Sequence, residues 1–319
     1  MKDRHYLLPE QGTFYKANHH SHTTLSDGCL TPEESKAAYK AHGYQIMAFT
    51  DHRVYRDHSS LNDRDFLTIP GVEVDINEDC PERMSGTDRT YHINLFDTRP
   101  DYKREEKENG ICPECRYGDM EYINSYIRRM NEMGFLVCYN HPYWSMQTRD
   151  DYRGLEGLFA MEIFNYGCEH DGMYGYNPQA YDEMLRLGKR IFCLATDDNH
   201  NGFPMDHPFC DSFGGFTMIK APELTFEAVT DALQKGCFYS SMGPEIREMY
   251  IEDGELAVRT SPVCRIYVVT AGRDCYRKAA DPGEMLTEAR FPLSGREGYI
   301  RVRVEDGQGK YADSNAYFL

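Results

Sequence analysis

Four short apolar runs in this chain end in the same way, on histidine or aspartate. "TFYKAN" runs into His19-His20-Ser21-His22, "YQIMAFT" into Asp51-His52, "FLVCYN" into His141, and "KRIFCLAT" into Asp197-Asp198-Asn199-His200. Each run has the apolar and β-branched content of a buried strand. Helical segments lie between them, so the first two thirds of the chain alternate strand and helix. That rhythm argues for a parallel α/β sheet, open or closed. In such folds the ends of the strands share one face, where active sites are built. The polar endings are therefore expected on one rim.

The helices carry their own punctuation. In "TPEESKAAYKAHG", Thr31 is an N-cap, Pro32 takes the first helical position, Glu34 completes a capping box and Gly43 ends the helix. "DMEYINSYIRRMNEMG" places Ile123, Ile127, Met130 and Met133 at near-helical spacing, as a core-facing stripe. Two further strand-like runs hold polar residues inside them, Glu73 in "GVEVDI" and His92 in "YHINLF". The segment 97–118 is charged and poor in apolar residues, and reads as an inserted surface loop. After residue 245 the texture changes to period-two alternation with Gly and Asp-Gly turns. The expected organisation is an α/β domain over 1–245 and a small β-sandwich-like domain over 246–319.

Composition excludes some functions. With 35 Lys+Arg against 52 Asp+Glu the net charge is −17, unsuited to a protein that neutralises long runs of phosphate. No apolar run is long enough to span a membrane and the N-terminal stretch lacks a signal-peptide core. The 11 cysteines are scattered, as expected of reduced thiols in the cytoplasm. Cys112-Pro-Glu-Cys115 is a lone pair that reads as half a zinc knuckle or a redox couple.

Residues two apart on a strand face the same side. His20 therefore pairs with His22, and Asp198 with His200, while His19 points away and is expected to pack or to support. Taken singly, each of His20, His22, His52, His92, His141, His200, Glu73 and Asp198 has a bland reading as a surface or core residue. An acid inside an apolar strand, however, needs a partner. All of them fall on strands or strand ends, and together they offer the imidazole and carboxylate donors that suit zinc, manganese or iron. Of the adjacent pair Asp51-His52, one is expected to coordinate and the other to support it.

The ordered set "HHSHTTLSDG", "FTDH", "GVEV", "YHINLF", "NHP" and "TDDNH" resembles the motifs of the PHP (polymerase and histidinol phosphatase) superfamily of metal-dependent phosphoesterases, over about residues 13–240. "GCFYSSMGPEI" and the closing "YIRVRVEDGQGKYADSNAYFL" further resemble its CehA/McbA-like branch, which carries a C-terminal β-domain. The resemblance implies a distorted (β/α)7 barrel with two to three divalent metal ions. One ion would take His20, His22, Glu73 and Asp198. A second would share Glu73 and add His92 and His141. A third would take Asp27, His52 and His200, with Asp27 standing where some members have His. Glu73, Asp198 and His200 would sit at the catalytic centre. Asp197-Asp198 departs from the family's common Ser-Asp; Asp198, two before His200, is the ligand of the pair. Asp51, Arg53, Asn165 and Asp197 would support the ligands or touch substrate.

Such ions would outweigh the carboxylates holding them and create an anion site in an acidic protein. The expected activity is hydrolysis of a small phosphomonoester or phosphodiester by metal-activated water. A carbamate, ester or amide substrate is the alternative, and a non-catalytic metal-binding module a further one. Tyr143 and Trp144 are expected either to wall the pocket or to pack in the core.

Overall fold

Thr31 starts helix α1 (Pro32–Ala41) as its neighbours dictate. Its hydroxyl accepts from Glu34 N at 3.2 Å, and the Glu34 carboxylate accepts from Thr31 N at 2.9 Å. Gly43, at φ +78°, turns the chain out of the helix into the next strand. The computed structural model describes residues 4–79, 86–99 and 111–319.

The elements that follow this pattern are β1 (His5–Tyr6), β2 (Thr13–Asn18), β3 (Ile46–Phe49), β4 (Leu67–Asn77), β5 (Thr90–Asp97), α2 (Met120–Glu132), β6 (Phe135–Tyr139) and α3 (Arg149–Tyr152). They continue through β7 (Ala160–Asn165), α4 (Tyr166–His170), α5 (Pro178–Arg186), β8 (Phe192–Thr196), β9 (Phe216–Ala221), α6 (Phe226–Gln234) and β10 (Phe238–Ser241). The result is a mixed α/β fold with one large sheet and a smaller β-rich C-terminal region. In the large sheet β10, β9 and β2 to β8 are neighbours in that order. Thr217 Oγ on β9 bonds to the backbone of Ala195 on β8, accepting at 3.3 Å and donating at 3.1 Å, so the last strand, β8, curls back beside β9. The stripe on α2 is buried as its spacing predicts, with Ile123, Ile127 and Met130 all at 0% exposure.

The expected all-parallel sheet is corrected. β4–β5 and β5–β6 are antiparallel, as are β2–β9 and β9–β10. The reason is the connection: no helix lies among the described residues between β4 and β5, and a parallel pair needs a crossover long enough to return the chain. The antiparallel turn still serves the rim, because the start of β5 then lies beside the end of β4. Asp75 is paired with His92 and Glu73 with Asn94.

The C-terminal strands are β11 (Ile246–Glu252), β12 (Glu255–Val263), β13 (Arg265–Thr270), β14 (Tyr276–Ala279), β15 (Leu286–Pro292), β16 (Tyr299–Glu305), β17 (Tyr311–Ser314) and β18 (Tyr317–Phe318). Two layers enclose a core of Met249, Leu256, Val258, Ile266, Val302 and their neighbours. One layer is the sheet β1-β11-β12-β15; the other continues the large sheet, because β17 pairs with β10. Hydrogen-bonded ladders thus cross the 245/246 boundary drawn from sequence texture, and His5–Tyr6 pair with β11.

Part of the expected insertion, residues 100–110, lies outside the described residues. Residues 111–118 are irregular, with Glu114, Cys115, Arg116 and Gly118 exposed, but Ile111 is buried in the main core and Tyr117 lies against Tyr91, ring centroids 4.7 Å apart. The apolar members of "ICPECRYG" anchor it despite the charge around them. Neither Cys112 nor Cys115 belongs to a metal-holding group among the described residues. No helix among the described residues is long and apolar enough to cross a membrane.

Candidate metal centre

Isolated bridges continue the strand ladders three residues past the ends of β2, β3 and β8. Ser21 bridges to Asn199 and His52 to Glu73, which ties the loops after β2, β3 and β8 to the sheet. Asp198 sits at φ +54°, a left-handed conformation that aspartate tolerates better than most residues, with its N–H on His20 O at 3.0 Å. The loop after His22 folds back so tightly that a Cβ on Gly28 would meet His22 O at 2.4 Å. That close approach returns Asp27 to the rim.

His20 defines the centre. Its Nδ1 lies 2.7 Å from Glu162 Oε1, within the sheet interior, so Nδ1–H donates to the carboxylate and the neutral ring carries its lone pair on Nε2. Nε2 faces Asp198 Oδ1 at 3.0 Å, His22 Nε2 at 3.1 Å and Glu73 Oε1 at 3.2 Å. Acceptors at such separations attract one another only through a cation or through protons. Glu73 faces both ways. Its Oε1 also lies 3.1 Å from His92 Nδ1 and 3.6 Å from His141 Nε2; its Oε2 lies 3.0 Å from His52 Nδ1. His200 Nε2 and His22 Nδ1 both approach Asp27 Oδ1 at 3.6 Å, and His52 Nε2 approaches Asp27 Oδ2 at 3.7 Å.

Three sets of donors emerge, each with atoms within 4.8 Å of one another: His20, His22 and Asp198; His20, Glu73 and His141; and His22, Asp27, His52 and His200. Eight of the nine ligand positions drawn from the resemblance fall in these sets, grouped differently: Glu73 stands with His20 and His141 and not in the first set. His22 touches the outer set as well as the inner one. A neutral imidazole has one lone pair, so His22 serves one set as a ligand and offers N–H to the other. His92 reaches the middle set only through Glu73.

Electrostatics follow from crowding. Burial pushes His20 down, yet the carboxylates of Asp198, Glu73 and Glu162 outweigh it and raise it well above the ordinary range. Burial likewise pushes Glu73 up, and His20, His92 and His141 overcome it, leaving Glu73 well below the usual carboxylate range. Burial also opposes the carboxylates at His200, where Asp27 and Asp198 win and raise it to about 9. Without a cation, these oxygens favour protons on His20 and His200. The donor set is one that a divalent ion would fit, displacing those protons.

The supporting residues divide unexpectedly. Asp51 accepts from Thr23 N at 2.7 Å and Ser26 Oγ at 2.9 Å, bracing the loop that carries Asp27. Arg53 turns from the cavity and pairs with Asp75, Nε to Oδ1 at 2.6 Å. Asp197 also faces away, accepting from Phe213, Gly214 and Gly215 N–H and from Tyr39 Oη at 2.7–2.9 Å. Asn165 both caps α4, accepting from Cys168 N at 3.0 Å, and donates to Asp198 Oδ2 at 3.0 Å. His19 is fully buried against Phe96, and burial pushes it down to about 3, so it stays neutral.

Sequence reasoning missed Glu162 and Asn140. Asn140 donates to Glu73 Oε1 at 2.8 Å. Glu162 had a visible signal: "AMEIFN" holds an acid in an apolar strand, as "GVEVDI" does around Glu73. Asn140 had none beyond standing beside His141.

Above the donors lies a cavity of about 380 Å³, lined by Glu73, His141 and Asp198 at its base and by Trp144, Phe203 and Phe209 nearer its mouth. Trp144 walls it, with its ring 5.1 Å from that of His141, while Tyr143 is 45% exposed.

No family model and no curated protein matches this chain. Among solved structures, it is similar to a two-domain protein from Bacteroides vulgatus described as containing a predicted PHP-like metal-dependent phosphoesterase. The identity is 16%, the alignment covers 100% of this chain and 99% of the other, and the TM-score is 0.47. It is also similar to an amidohydrolase from Chromobacterium violaceum with bound sulfate and no metal, at 15% identity over 61% of this chain and 93% of that one, with a TM-score of 0.40.

Proposed function

We propose that this chain is a metal-dependent hydrolase of the PHP kind, its large sheet closing as a distorted (β/α)7 barrel, that cleaves a small phosphomonoester or phosphodiester. The observation that carries this reading is the convergence of His20 Nε2, His22 Nε2 and Asp198 Oδ1 within 3.0–3.1 Å of one another, beside Glu73. An inner ion would be held by His20, His22 and Asp198, a middle one by Glu73, His141 and His92, and an outer one by Asp27, His52 and His200. Zinc, manganese and iron suit this donor set. When bound, the ions supply Lewis acidity toward a phosphoryl oxygen and activate water.

The chain's own groups do the rest. Glu162 keeps the proton of His20 on Nδ1 and so keeps Nε2 available. Asn140 and Asn165 hold Glu73 and Asp198 in fixed orientations, which limits the reorganisation on binding. His200 Nδ1 donates to Asp198 O at 3.0 Å, which aims Nε2 toward Asp27 and the outer ion position. One observation favours a carbonyl electrophile as the second reading. Among the described residues no lysine or arginine lines the cavity, so the ions alone would meet the charge of a phosphate.

The test is metal content per chain, measured on protein purified without chelator and paired with His20→Ala, followed by a phosphoester screen in the matching metal. Two to three ions in the wild type, loss in the variant and turnover of a phosphoester support the proposal. Turnover of aryl carbamates or esters alone moves it to the second reading. A chain that takes up no transition metal after reconstitution sinks both.

A further inference from the structure

The mouth of the cavity differs in chemistry from its base. Phe209 and Phe203 stand there 55% and 48% exposed, their ring centroids 5.8 Å apart. Neither covers a core, and two half-exposed phenyl rings side by side at a cavity mouth are costly to leave wet. The rings continue inward. Phe209 meets His170 edge-on at 6.3 Å, and Trp144 spans from the rim to His141 and His92, at 5.1 and 5.5 Å. Trp144 is fixed by donating Nε1–H to Asp171 Oδ2 at 3.0 Å. His170 Nε2 is buried with no hydrogen-bond partner and faces the same cavity.

The side chains of fixed charge around these rings are carboxylates. Asp171 and Asp211 line the cavity, and no lysine or arginine does among the described residues. Asp211 accepts from His200 N at 2.7 Å and Asn201 N at 3.0 Å, which holds its carboxylate in place beside the mouth. A second phosphate or a carboxylate on the outer part of a substrate would meet Asp171 and Asp211 there, with no lysine or arginine among the described residues to offset them and the His200 ring turned to Asp27.

We infer that Trp144, Phe203 and Phe209, with Asp171 and Asp211, form a subsite for the non-reacting part of the substrate, and that this part is a planar aromatic ring carrying no negative charge. The inference rests on the hydrolase reading, which places the reacting anionic group at the base. The ring stacks between Trp144 and the phenyl pair, while the carboxylates turn away oligonucleotides, diphosphates and other extended anions. An aromatic contact of this kind carries about a tenfold gain in affinity, or more.

Phosphonates bind without turnover and separate the two questions. Metal-loaded protein is titrated calorimetrically with methylphosphonate, phenylphosphonate and 4-carboxyphenylphosphonate. Emission of Trp144, the single tryptophan of the chain, is followed in parallel and reports occupancy of the subsite directly. The expected order is phenylphosphonate tightest, by about tenfold over methylphosphonate, with a change in Trp144 emission that methylphosphonate does not cause. Phe209→Ala and Phe203→Ala each reduce that ratio without altering methylphosphonate binding or metal content. The carboxyphenyl ligand binds more weakly than the phenyl one, and Asp171→Asn narrows the gap. Equal binding of phenyl- and methylphosphonate, with unchanged ratios in the variants, overturns the subsite and leaves the hydrolase reading standing. Failure of both phosphonates to bind metal-loaded protein removes the two together.

Discussion

Replacing Glu162 by glutamine keeps size and shape and changes one oxygen into a donor. Glu162 is fully buried and accepts from four sides. Oε1 takes Thr196 Oγ at 2.7 Å and His20 Nδ1 at 2.7 Å; Oε2 takes His141 N at 3.1 Å and Asn165 Nδ2 at 2.9 Å. A glutamine NH2 cannot face the backbone N–H of His141, so it must turn toward the Oε1 side. There the Thr196 hydroxyl rotates to accept, and His20 must accept on Nδ1. The His20 proton then moves to Nε2, onto the face that meets Asp198 and Glu73. A ligand nitrogen becomes a donor aimed at the metal position. Loss of such a carboxylate behind a ligating histidine lowers metal affinity about 10- to 100-fold, or about 1.4–2.7 kcal/mol. The assay is a chelator competition on Glu162→Gln and wild type in zinc and manganese, with circular dichroism to show that both fold. His20→Ala serves as the reference for full loss of the ligand. Metal affinity within twofold of wild type, in a folded Glu162→Gln chain, would refute the tautomer argument.

Three further outcomes follow from the same geometry. Metal at about 100 times its dissociation constant stabilises the chain by about 2.7 kcal/mol per site; thermal melts of the wild type rise with added ion, those of His20→Ala rise less, and an equal rise in both would contradict the assignment. Arg301, 1% exposed, pairs with Asp182 at 2.8 Å and Asp313 at 2.6 Å, so Arg301→Met leaves the buried Asp313 carboxylate without its cation and costs about 3–5 kcal/mol in urea unfolding at neutral pH. A cost below about 1 kcal/mol would mean that solvent reaches this joint between α5 and the C-terminal strands. Thr31→Ala removes the hydroxyl that caps α1 and costs about 1 kcal/mol in the same experiment, whereas Thr31→Ser costs a small fraction of that.

Much of the centre was legible because its cues are local. Strand runs ending in His20-Ser21-His22 or Asp198-Asn199-His200 show their period directly, and a period of two fixes which residues share a face. The capping box at Thr31 and the stripe on α2 are readable for the same reason: a few neighbouring residues carry the whole interaction. Glu73 stood out as an acid in an apolar strand. Glu162 carried the same cue and was passed over, since no histidine or second acid stands next to it in the sequence.

What the chain alone determined, then, is the list of donors and the rhythm that brings strand ends to one rim. Tertiary structure decided how they meet. The antiparallel β4–β5 pair sets His92 beside Glu73, and the contact of His20 with Glu162 joins residues 142 positions apart. The same holds for the mouth, where Trp144 comes from the loop after β6 and Phe203 and Phe209 from the loop after β8, and for Arg301, which joins the C-terminal strands to α5. Periodicity prescribes the direction of a side chain relative to its own backbone. Its partners across the fold depend on which strands pair and how helices pack over them, and that is a property of the whole folded chain.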